Sequence, residues 1–179
     1  MPGKKTFKEN KIKDILSTIE SDSKFRDFKK KNPGYYLAHL FYMEKSENEK
    51  NEPWQAGYYD KKKDKMVVFS LKENNKIEKE PESEIFKKDK KAVNKLELKK
   101  IKIDFEEAKN INNEFVKSKY NGEPIKDRIY IIQKLEKHIW NITNVSRFFN
   151  IINVKIDAQK GKVIKSSKDS LMGLGRVME

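Results

Sequence analysis

The chain has 179 residues and no cysteine, which excludes disulfides, thiolate metal sites and cysteine nucleophiles. Charged residues make up 39%, but 19 aromatic residues (10 Phe, 7 Tyr, 2 Trp) and apolar residues in periodic groups favour a folded protein with a highly charged surface over a disordered one. No apolar run reaches the ~18–20 residues that cross a bilayer, and the N-terminal stretch lacks the hydrophobic segment of a signal peptide. We therefore expect a cytoplasmic protein without a membrane span. An extracytoplasmic protein with a trimmed leader is the alternative.

The net charge of +13 at pH 7 suggests a nucleic-acid partner, but its distribution weakens that interpretation. Residues 1–90 carry 22 basic and 17 acidic groups, a net +5, whereas residues 91–179 carry 19 and 11, a net +8. The excess is thus spread along the chain. Only four of the 41 basic residues are arginine, whose planar fork suits phosphates and base edges better than lysine does. A solvated lysine surface is the favoured interpretation.

The first half of the sequence predicts a helix followed by antiparallel strands. A capping box at Thr6 to Glu9 precedes apolar residues at helical spacing. This periodicity slips between Ser21 and Ser23, which predicts a kink or a break, and Asn32-Pro33-Gly34 ends the helix. Strands are predicted at 35–45, 54–60 and 65–71, the last two forming a hairpin.

The second half repeats this order after a polar stretch of mixed charge. Asp104 and Glu107 begin a helix with carboxylates in its first turn, and Asn121-Gly122 ends it. In the last hairpin, Asp157 can accept hydrogen bonds from its own turn, and Gly161 can adopt the positive φ that closes it. Strands are predicted at about 128–134, 138–144, 148–157 and 162–167.

These elements predict an α+β protein of two tandem helix-plus-antiparallel-sheet units, in each of which one amphipathic helix crosses a curled sheet. A polar connector separates the two units, and a loosely ordered tail follows the second. The first unit is assigned to residues 1–78, the connector to 79–94, the second unit to 95–170 and the tail to 171–179.

The last hairpin resembles the PepSY domain family. The family's Ile/Val-Asp-Ala-x-x-Gly-x-Val pattern is matched by residues Ile156 to Val163, and Asp104 to Ala108 is similar to the start of the family's helix. The first half matches only by analogy, because the turn that begins at Asp60 lacks the glycine and looks looser. The resemblance implies two tandem copies with a cystatin-like arrangement, the second copy being the clearer one. Family members sit beside peptidases, in propeptides and in envelope-associated proteins, as proposed inhibitors or chaperones.

The sequence predicts no catalytic residues, no metal site and no cofactor. The two histidines, His39 and His138, form no H-x-x-x-H or H-E pair, and without cysteine a zinc site would need carboxylates as well. Serine-nucleophile, P-loop and dinucleotide-binding glycine motifs are missing. No catalytic residue set belongs to the PepSY family either, so the resemblance adds none. We therefore expect a protein that is not an enzyme.

The candidates for binding are four aromatic residues and one arginine. Strand spacing favours a core position for most aromatic residues, but a minority could line a peptide groove or stack on single-stranded nucleic acid. The candidates are Trp54, Tyr58, Tyr59, Trp140 and Arg147. The sequence therefore predicts a non-enzymatic module that binds an unknown protein or peptide, with a peptidase regulator or inhibitor as the narrower version. A basic nucleic-acid-binding protein that acts through lysines and exposed aromatics is the alternative.

Overall fold

The structure is a computed structural model, and it describes residues 10–46, 48–84 and 93–174. The helices of this part of the chain are α1 (Lys11–Ser21), α2 (Ser23–Lys31), α3 (Phe105–Lys119) and α4 (Leu171–Leu174). The first strands are β1 (Tyr36–Glu44), β2 (Trp54–Asp60), β3 (Lys65–Leu71), β4 (Ile77–Lys79) and β5 (Ser83–Glu84). The later strands are β6 (Ile125–Lys134), β7 (His138–Ser146), β8 (Asn150–Asp157) and β9 (Val163–Ser170). No helix of the described residues is long and apolar enough to cross a membrane.

All nine strands of the described residues form one antiparallel sheet, so the predicted fold class of two tandem helix-plus-sheet units is wrong. The strand order is β4-β3-β2-β1-β6-β7-β8-β9, and β5 pairs with β3. The two predicted sheets merge where β1 pairs with β6, from His39 opposite Gln133 to Glu44 opposite Arg128. The molecule is therefore organised around a single wide sheet with helices on it.

Pairing between β1 and β6 follows from their apolar sequences. Leu40 lies opposite Ile132 and Tyr42 opposite Tyr130, and on this face Leu40, Ile132 and Tyr130 are fully buried. An apolar strand left at a sheet edge exposes unpaired backbone groups and invites pairing with another strand. Joining the two strands removes both edges at once. The sequence gives no local signal for this, because the paired residues are some 90 positions apart.

The helices cover one face of the sheet and enclose the core. The predicted break in the first helix is confirmed: α1 ends at Ser21, and the side chain of Asp22 accepts a hydrogen bond from the Lys24 N–H as the N-cap of α2. Asp104 precedes α3 as predicted, but its side chain caps another helix. Its carboxylate accepts hydrogen bonds from the backbone N–H groups of Lys11, at 2.8 Å, and Ile12, at 3.3 Å. One residue thus joins the N-terminal ends of α1 and α3.

The two hairpin turns use the same chemistry. In the second one, the Asp157 carboxylate accepts hydrogen bonds from the backbone N–H groups two and three residues on, at 2.9 and 3.0 Å, and Gly161 has a φ of +71°. In the first one, Asp60 does the same at 2.8 and 3.1 Å, and Asp64 takes the positive φ of +54°. The first turn is therefore as closely bonded as the second, although it lacks glycine.

The predicted connector contributes to the sheet. Its residues include β5 and Lys79, the last residue of β4, and both strands extend the sheet beyond β3. Residues 85–92 lie outside the described part, as do Thr6 to Glu9 of the predicted capping box and 175–179 of the predicted tail. The assignment of separate domains stays a prediction.

Candidate functional site

Both candidate tryptophans lie in the core. Trp54 is only 8% exposed, and its ring stacks on Tyr42 with centroids 4.7 Å apart and an angle of 11° between the planes. Phe105 of α3 meets the Trp54 ring edge-on at 5.0 Å. Trp140 is fully buried, and its indole N–H donates a hydrogen bond to the Ile103 carbonyl at 2.9 Å. These contacts show that both tryptophan rings pack in the core. A binding role for them stays a prediction.

The candidate tyrosines are also buried, but each hydroxyl has a specific partner. Tyr58 donates to the Glu20 carboxylate of α1 at 2.9 Å, and Tyr59 donates to Asp64 at 2.5 Å. Burial is the main cause that raises the pKa of Tyr58 above its ordinary value, and the Glu20 charge adds to it. Both Tyr58 and Glu20 also border a concave surface.

This surface, here called the tyrosine groove, lies where α1, α2, β1 and β2 meet the chain segment before α3. It has a volume of about 730 Å³, within the range typical of ligand sites. Its apolar lining consists of Phe25, Tyr35, Leu37, Tyr58, Leu96 and Leu98. Its polar rim consists of Glu20, Lys29, Tyr36, Lys95, Glu97 and Lys99.

One short segment supplies much of the groove. Residues 95–99 read Lys-Leu-Glu-Leu-Lys, and the Leu96 backbone N–H donates to the Leu37 carbonyl of β1 at 2.8 Å. This bond fixes the segment beside the start of β1 and directs Leu96 into the core, where it is buried. Lys95 and Lys99, at the two ends of the segment, remain exposed at the rim.

The rim carries positive charge that is free to meet a ligand. Glu20 is engaged by Tyr58, and Glu97 accepts a hydrogen bond from Lys134 at 3.2 Å, which is the main reason why the pKa of Glu97 is lowered. Within the described residues, neither Lys95 nor Lys99 forms an ion pair. Glu97 is therefore paired with a cation, Glu20 keeps its negative charge beside the neutral Tyr58 hydroxyl, and the two lysines have no ion-pair partner in the described residues.

A second groove, of about 960 Å³, lies at the other end of the first strands and has a different character. It is bordered by Trp54 and Tyr42 but mostly by charged and polar loop residues. Two of its lysines are paired with its own acids, since Lys45 lies 3.1 Å from Glu52 and Lys50 lies 2.7 Å from Glu73. This groove is less apolar, and its charges largely satisfy one another.

Arg147, the last predicted site residue, lies in an exposed turn between β7 and β8. Phe148 and Phe149 follow it and are 64% and 61% exposed, and Leu171 and Met172 of α4 are 39% and 73% exposed. The Leu171 N–H donates to the Phe149 carbonyl at 2.8 Å, which joins the two segments. These four apolar residues are called the apolar tip below. We predicted Phe148 as the start of a strand, so the tip was missed.

Phe149 adopts an unusual backbone conformation. Its φ is +59°, and its N–H donates to the Ser146 carbonyl, as in a three-residue hairpin loop whose last residue is left-handed. Glycine or asparagine normally takes this position, because a side chain there costs about 1–2 kcal/mol. The exposed ring gains little from packing in return.

No group of three or more histidine, aspartate or glutamate residues that could hold a metal ion occurs in the described ranges. His138 accepts a hydrogen bond from the Glu97 N–H at 3.2 Å through Nε2, so this nitrogen is unprotonated. His39 lies on β1, and the two histidines do not meet in one site.

Comparison with known proteins gives a likeness in fold alone. No family model matches the chain, so the PepSY resemblance stays a hypothesis, and no curated protein matches it. The crystal structure of "a putative lipoprotein" from Clostridium difficile 630 is similar in structure, with a TM-score of 0.53. The similarity covers 82% of this chain and 90% of that one, at 18% sequence identity.

Proposed function

We propose that the protein is a non-enzymatic binding module that holds a peptide segment of a partner protein in the tyrosine groove. The peptide places an apolar side chain against the groove lining and acidic side chains beside Lys95 and Lys99. The observation that carries this proposal is the combination of an apolar, tyrosine-containing lining with two lysines that lack ion-pair partners among the described residues.

The apolar lining supports a peptide side chain as the ligand. Leu37, Tyr58 and Leu96 are nearly buried, so the side chain of a ligand would meet a firm surface rather than mobile residues. Burial of one leucine-sized side chain is worth roughly 1.5–3 kcal/mol. Tyrosine and leucine in a preformed groove also cost little conformational entropy on binding.

The rim supports acidic residues in that peptide. Lys95 and Lys99 flank the lining, whereas Lys29 donates hydrogen bonds to the carbonyls of Pro33 and Tyr35 and is already engaged. Exposed ion pairs contribute about 0–1 kcal/mol each. Two such pairs therefore select acidic peptides without supplying most of the affinity.

The narrower role and the compartment belong to the same proposal. A peptidase as the partner rests on the PepSY resemblance, and a cytoplasmic location rests on the composition. The similar Clostridium difficile structure supports the alternative of an extracytoplasmic location only through its description as a lipoprotein. Fractionation of source cells with an antibody against the chain distinguishes the two compartments.

A random peptide library displayed on phage tests the groove. We expect the selected peptides to share an apolar residue flanked by aspartate or glutamate. The double variant Lys95→Glu/Lys99→Glu should bind them about tenfold more weakly, because two attractive charge pairs become repulsive. Fluorescence anisotropy with a labelled selected peptide measures the change.

The matched control is Lys162→Glu/Lys165→Glu, which makes the same change in charge at exposed positions in and beside β9, the edge strand four positions from β1 in the sheet. It should leave peptide binding unchanged. Equal weakening by both double variants would show a general charge effect and exclude the groove as the site. Failure to select any peptide would also count against the proposal.

The nucleic-acid alternative stays a hypothesis. It requires exposed aromatic faces for base stacking, and the four candidate rings have almost no exposed area, whereas the exposed rings of Phe148 and Phe149 were not among the predicted residues. Phosphate contacts would make binding fall steeply with salt, so titration of a labelled single strand at rising salt concentration tests this alternative.

A further inference from the structure

The apolar tip has no part in the core or in the tyrosine groove, and it lies at the far end of the strands from that groove. The groove rim contacts the start of β7, where the Glu97 N–H donates to His138. The tip follows the end of β7 at Ser146. Strands rise about 3.3 Å per residue, so the nine residues of β7 separate the two surfaces by about 25–30 Å.

The shape of the tip differs from that of a groove. It consists of a hairpin turn and one helical turn that project past the ends of β8 and β9. Its four side chains are large, apolar and exposed, and they come from two segments held together by a backbone hydrogen bond. Such a contiguous patch marks an interaction surface, whereas a single exposed apolar residue does not.

The backbone of the turn indicates that the exposed ring is required for something other than folding. Phe149 holds a left-handed conformation that glycine would adopt without strain, and its ring remains 61% exposed. Folding alone would therefore favour a different residue. A strained residue at an exposed position is a sign of function.

Three basic residues lie near the tip. Arg147 precedes the two phenylalanines. Lys117 and Lys119 lie in the last turn of α3, whose following loop contacts the same turn through the Pro124 carbonyl, although the Lys119 ammonium donates to Ser166 on β9. Two acidic residues lie near the tip. Asp169, opposite Ile151 on β8, is exposed. Glu123 is paired with Lys168, and this hydrogen bond is the main cause that lowers the pKa of Glu123.

We propose that the apolar tip docks the protein on the surface of a membrane that contains anionic lipids. Phenylalanine, leucine and methionine enter the boundary between headgroups and acyl chains, and the surrounding arginine and lysines contact the anionic headgroups. Four exposed apolar side chains at the end of the strands, with Arg147 beside them, suit a deformable bilayer, whereas a protein partner would have to supply a matching pocket. In this orientation the tyrosine groove faces the solution.

Sedimentation with vesicles tests this proposal. The full chain is mixed with vesicles of equimolar phosphatidylcholine and phosphatidylserine, or with vesicles of phosphatidylcholine alone. We expect binding to the first kind and much weaker binding to the second. The double variant Phe148→Ser/Phe149→Gly should bind anionic vesicles at least about tenfold more weakly, because two rings no longer enter the bilayer.

Two controls separate this effect from misfolding and from general hydrophobicity. Phe149→Gly alone should raise the thermal unfolding midpoint, since it removes the strain, while it lowers vesicle binding. Leu135→Ser removes an apolar residue that is 44% exposed in the β6–β7 turn, at the groove end of the strands, and should not change vesicle binding.

The outcomes that overturn the proposal are distinct. They are equal binding to both kinds of vesicle, no binding to either kind, or binding that the Phe148→Ser/Phe149→Gly variant retains. The proposal does not depend on the peptide groove, so each can fail while the other stands. The Lys95→Glu/Lys99→Glu variant should still sediment with anionic vesicles.

Discussion

At the scale of single residues, His39 shows how one partly buried side chain sets a pH dependence. It lies opposite Gly57 on β2, and a methyl group built on that glycine would come within 2.2 Å of the imidazole Cε1. The ring therefore occupies the space that a side chain at position 57 would need. Burial lowers the pKa of His39 from its ordinary value of 6.5 to about 4.

A loss of stability in mild acid follows from this pKa. The unfolded chain takes up a proton at His39 below pH 6.5 and the folded chain only near pH 4, so stability falls across that window. The loss is full below about pH 4, and we expect it to be on the order of 2 kcal/mol. Urea unfolding at several pH values measures it, and His39→Gln should remove most of it.

His138→Gln provides the comparison for this prediction. The pKa of His138 is also lowered, chiefly by partial burial, but this side chain lies at the start of a strand beside Glu97. Its replacement should leave most of the acid-dependent loss in place. If His39→Gln retained the full pH dependence of the original chain, the loss would have to come from other groups.

At the scale of elements, a buried amide pair attaches α3 to the sheet. Asn112 of α3 and Asn144 of β7 are fully buried, and each donates a side-chain hydrogen bond to the other, at 2.8 and 3.0 Å. Asn144 also donates to the Ile152 carbonyl of β8 at 3.2 Å. The pair fixes where the helix rests on the strands, because any other position leaves buried polar groups unpaired.

Asn112→Leu should destabilise the protein by about 2–3 kcal/mol, since it leaves the Asn144 amide buried with fewer partners. Asn112→Leu/Asn144→Leu should lower the free energy of unfolding by less than the sum of the two single changes, because the double variant leaves neither amide buried without its partner. A double-mutant cycle by urea unfolding measures this coupling. Asn110→Leu, at an exposed position of the same helix, is the control and should change stability by at most about 0.5 kcal/mol. Additive single effects would show that the two amides act independently.

The elements also show how far the sequence could predict the fold. The bounds of β2 and β3, at 54–60 and 65–71, agree with the prediction, because alternating apolar residues and a bonded turn are local signals. The pairing of β1 with β6 and the short edge strands β4 and β5 were missed, because the partner of a strand is not encoded in its own residues.

The candidate sites were harder to predict for the same reason. The groove combines Tyr58 with Leu96 and Lys99, and no periodic pattern links a strand residue to a loop some 40 positions away. Of the predicted aromatic residues, the structure places Tyr58 in the groove lining and Trp54 at the second groove. The apolar tip had one sequence signal, two adjacent phenylalanines between Arg147 and Asn150, where a hairpin turn normally carries polar residues or glycine.

At the scale of the whole molecule, the continuous sheet predicts that both halves of the chain unfold together. The pairing of β1 with β6 places Leu40 against Ile132 in the middle of one core. Each half contains one tryptophan, Trp54 on β2 and Trp140 on β7, so each half can be followed separately. In Trp140→Phe, fluorescence reports only the first half, while circular dichroism reports the whole chain.

We expect the fluorescence and circular-dichroism transitions of Trp140→Phe to coincide in urea, because neither half can lose its strands without exposing the core of the other. Adding Ile132→Ala creates a cavity in the second half. It should lower the free energy of unfolding, as measured by Trp54 fluorescence, by about 2–4 kcal/mol. Ile164→Ala on the exposed edge strand β9 should change this free energy of unfolding little. If Ile132→Ala left the unfolding transition of Trp54 fluorescence unchanged, the halves would fold as separate units despite their shared sheet. Coupled transitions would establish that the groove and the apolar tip, at opposite ends of the strands, belong to one cooperative body.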